Sequence, residues 1–445
     1  MGDPMNERDT LRIDGNGRLT IGGADCVALA RQFGTPLYCL DEDHIRNMMR
    51  AYRDTLAREY EGGGIVLYAS KALCCKAMYL IARAEGIGAD VVSGGELYTA
   101  AEAGFPAELL YFHGNNKTPE EIGQALDRRV GTFVIDSELE AERLEEQAAR
   151  RHMTQKVLLR INPGVEAHTH AYIQTAKTDS KFGFSVQDGT AARMIGLLLC
   201  KPHLHLAGIH CHIGSQIFEK QSFAVAAEKC LAFLAECKRT LGFEAEELNL
   251  GGGFGIWYSD GDNMRDAAAY ADDLRALIYA VKKGCAAHGL RLPRLVVEPG
   301  RSIVGEAGIT LYTAGAVKEI PGVRTYLAVD GGMFENPRYA LYQAKYTALV
   351  ADRAAEPPTR LYALAGKCCE SGDLIGVDMP LPEVHPGDIL AVLSTGAYNY
   401  SMASHYNRNL IPPVVLVKDG AADYIVRPET YEDLVRRDVL PERLR

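Results

Sequence analysis

The sequence predicts an α/β protein: a closed (β/α)8 TIM-like barrel with a second, mostly β domain. Three observations predict it. Between Ile65 and Glu298, apolar strands alternate with helical stretches until eight strands have passed. The stretch runs for about 240 residues, which favours a closed barrel over an open doubly wound sheet. Beyond Glu298 the alternation stops, and short strands broken by Pro and Gly turns take over.

In chain order, residues 1–24 carry turn signals (DGNG at 14–17, GG at 22–23) around two short strands. Asp25 can cap a helix that ends at Gly34, residues 35–40 form a strand, and Asp41 opens a long helix to about Tyr60. Barrel strands follow at 65–69, 89–92, 109–112, 131–135, 156–161, 204–210, 247–250 and 294–298. Helices lie between them at 74–85, 94–103, 118–128, 137–151, 189–199, 219–240 and 264–288, with a polar excursion over 162–181. The later strands are placed at 310–320, 324–330, 360–365, 388–393, 410–418 and 421–427, and a helix at 336–352. This gives a barrel over 42–305 and a β-rich domain from 1–41 with 306–445.

Composition excludes several classes. A net charge of −10 without a Lys/Arg-rich block argues against nucleic acid as a partner. No uncharged apolar run is long enough to span a membrane, and the amino terminus reads without a secretory leader. Eleven cysteines, an odd number with no CxxC pair, predict reduced thiols in a cytoplasmic protein and no thiolate zinc knot.

Barrel chemistry gathers at the carboxyl ends of strands. Those ends carry Lys71 on the first strand, Ser93 and Glu96 after the second, His113 after the third and Asp136 after the fourth. GIHCHIGSQ, with His210, His212 and Ser215, follows the sixth; GGGFG (251–255) follows the seventh; EPGR, with Glu298 and Arg301, ends the eighth. Closure brings the first strand beside the eighth, and so Lys71 near Glu298. A strand-end lysine can simply snorkel to water, or its amine can reach a carbonyl. GGGFG can be a tight turn or a phosphate cradle of backbone N–H groups. In HLHLAGIHCHIG, strand parity puts His203 and His205 on one face and His210 and His212 on the other. A two-histidine metal site completed by Asp136 or Glu298 therefore stays open beside ring-stacking and core roles. Taken together, an amine, a phosphate-sized glycine loop and a carboxylate at adjacent strand ends suit pyridoxal 5'-phosphate.

YASKA (68–72), SGGE (93–96), FHGNNK (112–117), SKFG (180–183), HCHIGSQ (210–216), GGGFG, EPGR, NPRYALY (336–342), CESGD (369–373) and GAYNYSMAS (396–404) occur in this order. With them the chain resembles the meso-diaminopimelate decarboxylase family of the barrel-type (fold type III) pyridoxal-phosphate enzymes, over nearly its whole length. The resemblance implies decarboxylation of meso-2,6-diaminopimelate to L-lysine. It implies Lys71 as the Schiff-base lysine, Glu298 as the partner of the pyridine nitrogen, and His212 against the cofactor face. Ser215 and the amides of Gly252 and Gly253 are implied as phosphate ligands. Arg301, Arg338 and Tyr342 are implied as the clamp on the distal carboxylate, and Glu370 as the acceptor for the distal amine. Cys369 is implied as a candidate proton donor contributed across a homodimer interface, and Tyr398 as a cofactor contact near it. No metal is expected.

Two departures stand out: Ala176 occupies a position where many relatives have glycine, and adjacent Cys368 leaves a one-residue ambiguity that CESGD resolves toward Cys369. Competing readings are a decarboxylase of ornithine, arginine or a carboxylated polyamine, with Asp373 holding a basic distal amine, and a racemase on the same scaffold. A non-catalytic pyridoxal-phosphate-binding regulatory protein and a metal-dependent barrel hydrolase come from other classes.

Overall fold

The computed structural model describes residues 11–165 and 180–445. Ala176 and most of the 162–181 excursion lie outside the described residues. The chain divides into two compact units, one of Arg46–Ile256 with Arg265–Ile303, the other of residues up to Ile45, Trp257–Met264 and Val304–Arg445.

The first unit is a closed parallel barrel. Its strands are Gly64–Ala69, Gly88–Val91, Leu110–Phe112, Thr132–Ile135, Gln155–Asn162, Leu204–His210, Glu247–Asn249 and Arg294–Val297, each hydrogen-bonded to the next. Closure is made by Val296 pairing with Ile65 and Val297 with Val66, and Ala69 N–H donates to Pro299 O at 3.0 Å. Leu67, Tyr111, Val134, Leu158, Ala207 and Val296 form one apolar cluster, contributed by the first and by the third to sixth and eighth strands. Polar side chains also enter the strands: Tyr111 Oη donates to Glu247 Oε1 at 2.8 Å, and Lys156 Nζ to Glu247 Oε2 at 2.6 Å.

The helices start where the sequence supplies an N-terminal acceptor. Ser93, Ser137 and Asp266 each accept a backbone N–H of the following first turn, and Thr118 forms a capping box with Glu121 ahead of Pro119. Glycines in the left-handed region end the helices Lys220–Leu241 (Gly242, φ +68°) and Ala267–His288 (Gly289, φ +61°). Among the described residues, no helix is long and apolar enough to cross a membrane.

The second unit is built on a mixed sheet. Leu374–Leu381, Arg360–Ala365, Arg324–Val329, Gly308–Ile320, Leu37–Asp41, Val414–Lys418 and Ala421–Val426 lie side by side in that order. The amino-terminal strand Leu37–Asp41 is thus central, antiparallel to Gly308–Ile320 and parallel to Val414–Lys418. Leu19 and Ile21, from a separate three-stranded sheet, share a core with Ile309, Leu311, Val415, Val417 and Trp257. Burial of Trp257 in that core explains why Trp257–Met264 belongs with this unit although it lies between barrel elements in sequence.

The expected helix over 336–352 is corrected. Only Arg338–Tyr342 is helical, because Gln343 turns left-handed (φ +54°) and Ala348–Val350 pairs antiparallel with Ile389–Val392. The strand Leu374–Leu381 has no counterpart among the expected strands. It lies at the edge of the sheet, where the missing N–H of Pro380 is tolerated.

Candidate active site

In the barrel unit, the first strand runs into a single 3-10 turn, Ser70–Ala72, and Lys71 on that turn is exposed. The turn carries the amine off the buried strand toward solvent. Gly300, in EPGR, packs against the same turn: a Cβ there would lie 2.8 Å from Ala69 Cβ and 3.2 Å from Ala72 Cβ.

Glu298 is buried among donors at or just past the ends of three other strands. His113 Nε2 lies 2.8 Å from its Oε1, Asn249 Nδ2 donates to Oε1 at 2.8 Å, and His210 Nε2 lies 3.2 Å from Oε2. Burial alone would raise this carboxyl, but the adjoining histidines outweigh it and hold it well below the usual carboxylate range. Asp90, buried on the second strand, moves the other way. Burial and the Glu298 charge push it well above that range, although its Oδ1 accepts Ser70 N–H at 3.1 Å and Lys71 opposes the shift. Two carboxyls in one barrel are thereby pushed apart, Glu298 down and Asp90 up.

The histidine-rich segment divides by position. His203 and His205 meet the surface carboxylates Glu145 and Glu246 at 2.7 and 3.1 Å, while His210 turns inward to Glu298. The register of that strand shifts between Leu206 and Gly208, yet the outer pair stays outside. His212 lies beyond the strand and is half-buried. Burial, then the charges of Lys71 and Arg160, hold its pKa well below the ordinary value, so the ring is neutral, and Gly252 N–H approaches its Nδ1 at 3.4 Å. Among the described residues, the group with metal-ligating atoms within 4.8 Å of one another is His113, His210 and Glu298, a different set from the one parity allowed. Asp136 is instead turned to Arg160, 3.6 Å away, and to the Gly183 N–H.

Two loops form a close-packed cradle. Ile217 N–H donates to Gly253 O and Gly255 N–H to Ile217 O, both at 2.9 Å. A Cβ on Gly252 would fall 2.0 Å from Glu298 O, and one on Gly253 (φ +114°) 2.2 Å from Gly214 O. Ser215, on one of these loops, accepts from Arg301 Nε at 3.2 Å and Nη2 at 3.0 Å. Arg301 was expected at a substrate carboxylate; within the barrel its guanidinium meets the hydroxyl expected to hold phosphate.

In the second unit, Arg338 is buried with its guanidinium 5.7 Å from the Tyr258 ring, 5.5 Å from Tyr342 and 5.8 Å from Tyr398. Its Nε is buried without a hydrogen-bond partner among the described residues. Tyr398 is held at φ +62°. Cys369 and Glu370 are exposed on the loop after Arg360–Ala365, whereas Cys368 is buried and its thiol pushed up to about 11 by burial and Asp373. Asp373 accepts Met333 N–H at 2.6 Å and Cys368 N–H at 2.6 Å. It organises backbone, which removes it as the seat of a basic distal amine.

Sequence reasoning missed Asp90, Asn249 and Tyr258, and saw His113 without its purpose. Asp90 had a readable signal, an acid inside the apolar run GADVV. Tyr258 had only an aromatic pair after the glycine loop.

Residues 42–305 match the pyridoxal-dependent decarboxylase family at its pyridoxal binding domain, more than half of the chain. The closed parallel barrel and this match place the chain among the fold type III pyridoxal-phosphate enzymes. The chain is 49% identical to the diaminopimelate decarboxylase of Halalkalibacterium halodurans and to that of Bacillus subtilis, in each case over 97% of this chain and 97% of the relative. The crystal structure of diaminopimelate decarboxylase from M. jannaschii superposes with a TM-score of 0.89 at 35% identity, covering 98% of this chain and 99% of that one. The chain belongs to the diaminopimelate decarboxylase family.

Proposed function

We propose that the protein is a pyridoxal-phosphate-dependent carboxy-lyase converting meso-2,6-diaminopimelate to L-lysine and CO2, the last step of lysine biosynthesis. The observation that carries this reading is the near-full-length identity with diaminopimelate decarboxylases, which spans both units. The barrel residues fit the cofactor, in three respects. The Gly252 and Gly253 positions leave no room for a Cβ, Ser215 carries an arginine at its hydroxyl, and Glu298 is an ionised carboxylate in a buried site.

Bound pyridoxal phosphate supplies the electron sink that lets the bond to an α-carboxylate break. Lys71 would hold the cofactor's aldehyde and Glu298 would keep a proton on its ring nitrogen. His212, neutral at pH 7, would offer an uncharged ring face. Ser215, Gly252 and Gly253 would bind the phosphate, with the Arg301 charge behind Ser215.

Arg338 would receive the distal carboxylate, since a buried guanidinium with an unpartnered Nε gains most from a planar anion. Tyr342 and Tyr398 would hold that guanidinium in place, and Glu370 would accept the distal amine. Ornithine and arginine lack a distal carboxylate and would leave the Arg338 charge without an anion and its Nε unpartnered, a loss of about 2 kcal/mol or more.

Cys369 would deliver the proton that replaces CO2. Its exposure, shared with Glu370, suits residues that complete a site in a second subunit, so the working form is a homodimer with shared active sites; the eleven free thiols suit the cytoplasm. The test incubates the purified protein with meso-diaminopimelate, lysine, ornithine and arginine in turn, following CO2 and the amine product. Turnover of meso-diaminopimelate alone is expected, and preference for ornithine or arginine would overturn the reading. Sedimentation at micromolar concentration reports the dimer; a fully active monomer would defeat it.

A further inference from the structure

The surroundings of Glu298 are more specific than a buried carboxylate needs for solvation. Each carboxylate oxygen offers two in-plane lone pairs. Among the described residues, Oε1 is filled by His113 Nε2 and Asn249 Nδ2, both at 2.8 Å, whereas Oε2 meets one side-chain donor, His210 Nε2 at 3.2 Å. With respect to these residues, one lone pair on Oε2 remains for a further donor.

Both histidines reach the carboxylate as neutral rings. His210 is buried and its Nδ1 has no partner among the described residues. A proton there would be stranded, so the ring is fixed with its hydrogen on Nε2, aimed at Glu298. Burial brings its pKa down to about 4 and lowers that of His113 as well, against the opposing pull of Glu298. The charged groups around them are engaged elsewhere: Arg160 faces Asp136, Lys117 faces Glu140, and Lys71 is exposed. The His113 and His210 rings meet edge to face, centroids 4.7 Å apart, so each restrains the other.

We propose that His113 and His210 are positioning residues that set the charge and the aim of Glu298. As neutral N–H donors they keep the carboxylate ionised without cancelling its charge, and they reserve one Oε2 lone pair for the protonated ring nitrogen of the cofactor. A lysine or arginine in their place would also hold Glu298, but its charge would weaken the pull on that proton. The inference rests on the assignment of Glu298 to the ring nitrogen made above.

The test compares binding of pyridoxal phosphate with that of its 1-deaza analogue, whose ring carries C–H in place of nitrogen, to apoprotein variants. His113→Met and His210→Met should each lower the preference for the natural cofactor by about 10-fold, the worth of one hydrogen bond to a charged group. His113→Gln and His210→Gln, which return a neutral N–H near the Nε2 position, should recover most of it. The ring-15N resonance of labelled cofactor should move toward the unprotonated position in the Met variants only. Equal weakening of both ligands, or Gln variants no better than Met, would overturn the proposal, as would a zinc ion retained through dialysis by the wild-type apoprotein and lost from the Met variants. If a Met variant does not fold, 15N-histidine spectra of wild-type holoprotein at pH 7 decide: a doubly protonated His210 overturns the proposal. Glu298→Gln separates the two levels. If it leaves the preference unchanged, the ring-nitrogen assignment itself fails; if it abolishes the preference while the histidine variants do not, only the present inference fails.

Discussion

Lys117 Nζ and Glu140 Oε1 are 2.7 Å apart, and both side chains are buried. The same ammonium donates to Gly114 O at 2.9 Å and to Val134 O at 2.8 Å, while Glu140 Oε2 accepts Asp136 N–H at 2.9 Å. The lysine of FHGNNK therefore staples the turn that follows His113 to the next barrel strand. Removing one partner leaves the other charge buried and alone, so Lys117→Met should destabilise the protein by about 3–5 kcal/mol. Adding Glu140→Leu should restore much of the loss; urea denaturation of the four proteins of this cycle gives the coupling.

Glu335 lies in the core of the second unit, where Tyr312 Oη donates to its Oε1 at 2.6 Å and Oε2 has no partner among the described residues. Burial raises its pKa to about 7. Because the folded value is above the unfolded one, the contribution to stability is complete below about pH 4.5 and is lost as pH rises through about 7. Glu335→Gln should be nearly neutral at pH 5 and stabilising by about 2–3 kcal/mol at pH 8. Thermal melts of both proteins from pH 5 to 9 measure the difference, and parallel curves would remove Glu335 as its source.

Gly253 combines φ +114° with a Cβ position 2.2 Å from Gly214 O. Gly253→Ala should push the two cradle loops apart, costing about 1–3 kcal/mol and most of the affinity for pyridoxal phosphate. Cofactor absorbance after dialysis reports the second effect; full retention would show that the cradle tolerates the added methyl.

Arg338 lies in the second unit, with its charge against three tyrosine rings. Arg338→Ala should reduce kcat/KM for meso-diaminopimelate by about 100-fold or more, while cofactor absorbance stays at the wild-type level. Arg338→Lys should recover little, because an ammonium cannot reproduce the planar fork. Unchanged turnover in the alanine variant would take Arg338 out of the clamp.

The barrel was legible because each strand and helix announces itself locally. Ile65–Tyr68 is apolar and closed by small residues, Ser93, Thr118, Ser137 and Asp266 each sit where a helix needs an acceptor, and the alternation repeats until the sheet can close. The second unit was less legible. Pro380 is unremarkable on an edge strand but reads as a breaker in a one-dimensional pattern, and the helix begun at Arg338 ends after five residues for a reason carried by the sheet that claims Ala348–Val350.

The sequence by itself determined the order of the elements and the kinds of chemical group at the strand ends: an amine at 71, glycines at 251–253, a carboxylate at 298. Only the tertiary structure decided that Lys71 is exposed, that the pKa values of Asp90 and Glu298 are pushed in opposite directions, and that His113 joins Glu298 across 185 positions of chain. The physical reason is range. Helix caps and strand periodicity are set by neighbours a few residues apart, whereas a hydrogen bond or a pKa depends on groups that meet only once the barrel has closed.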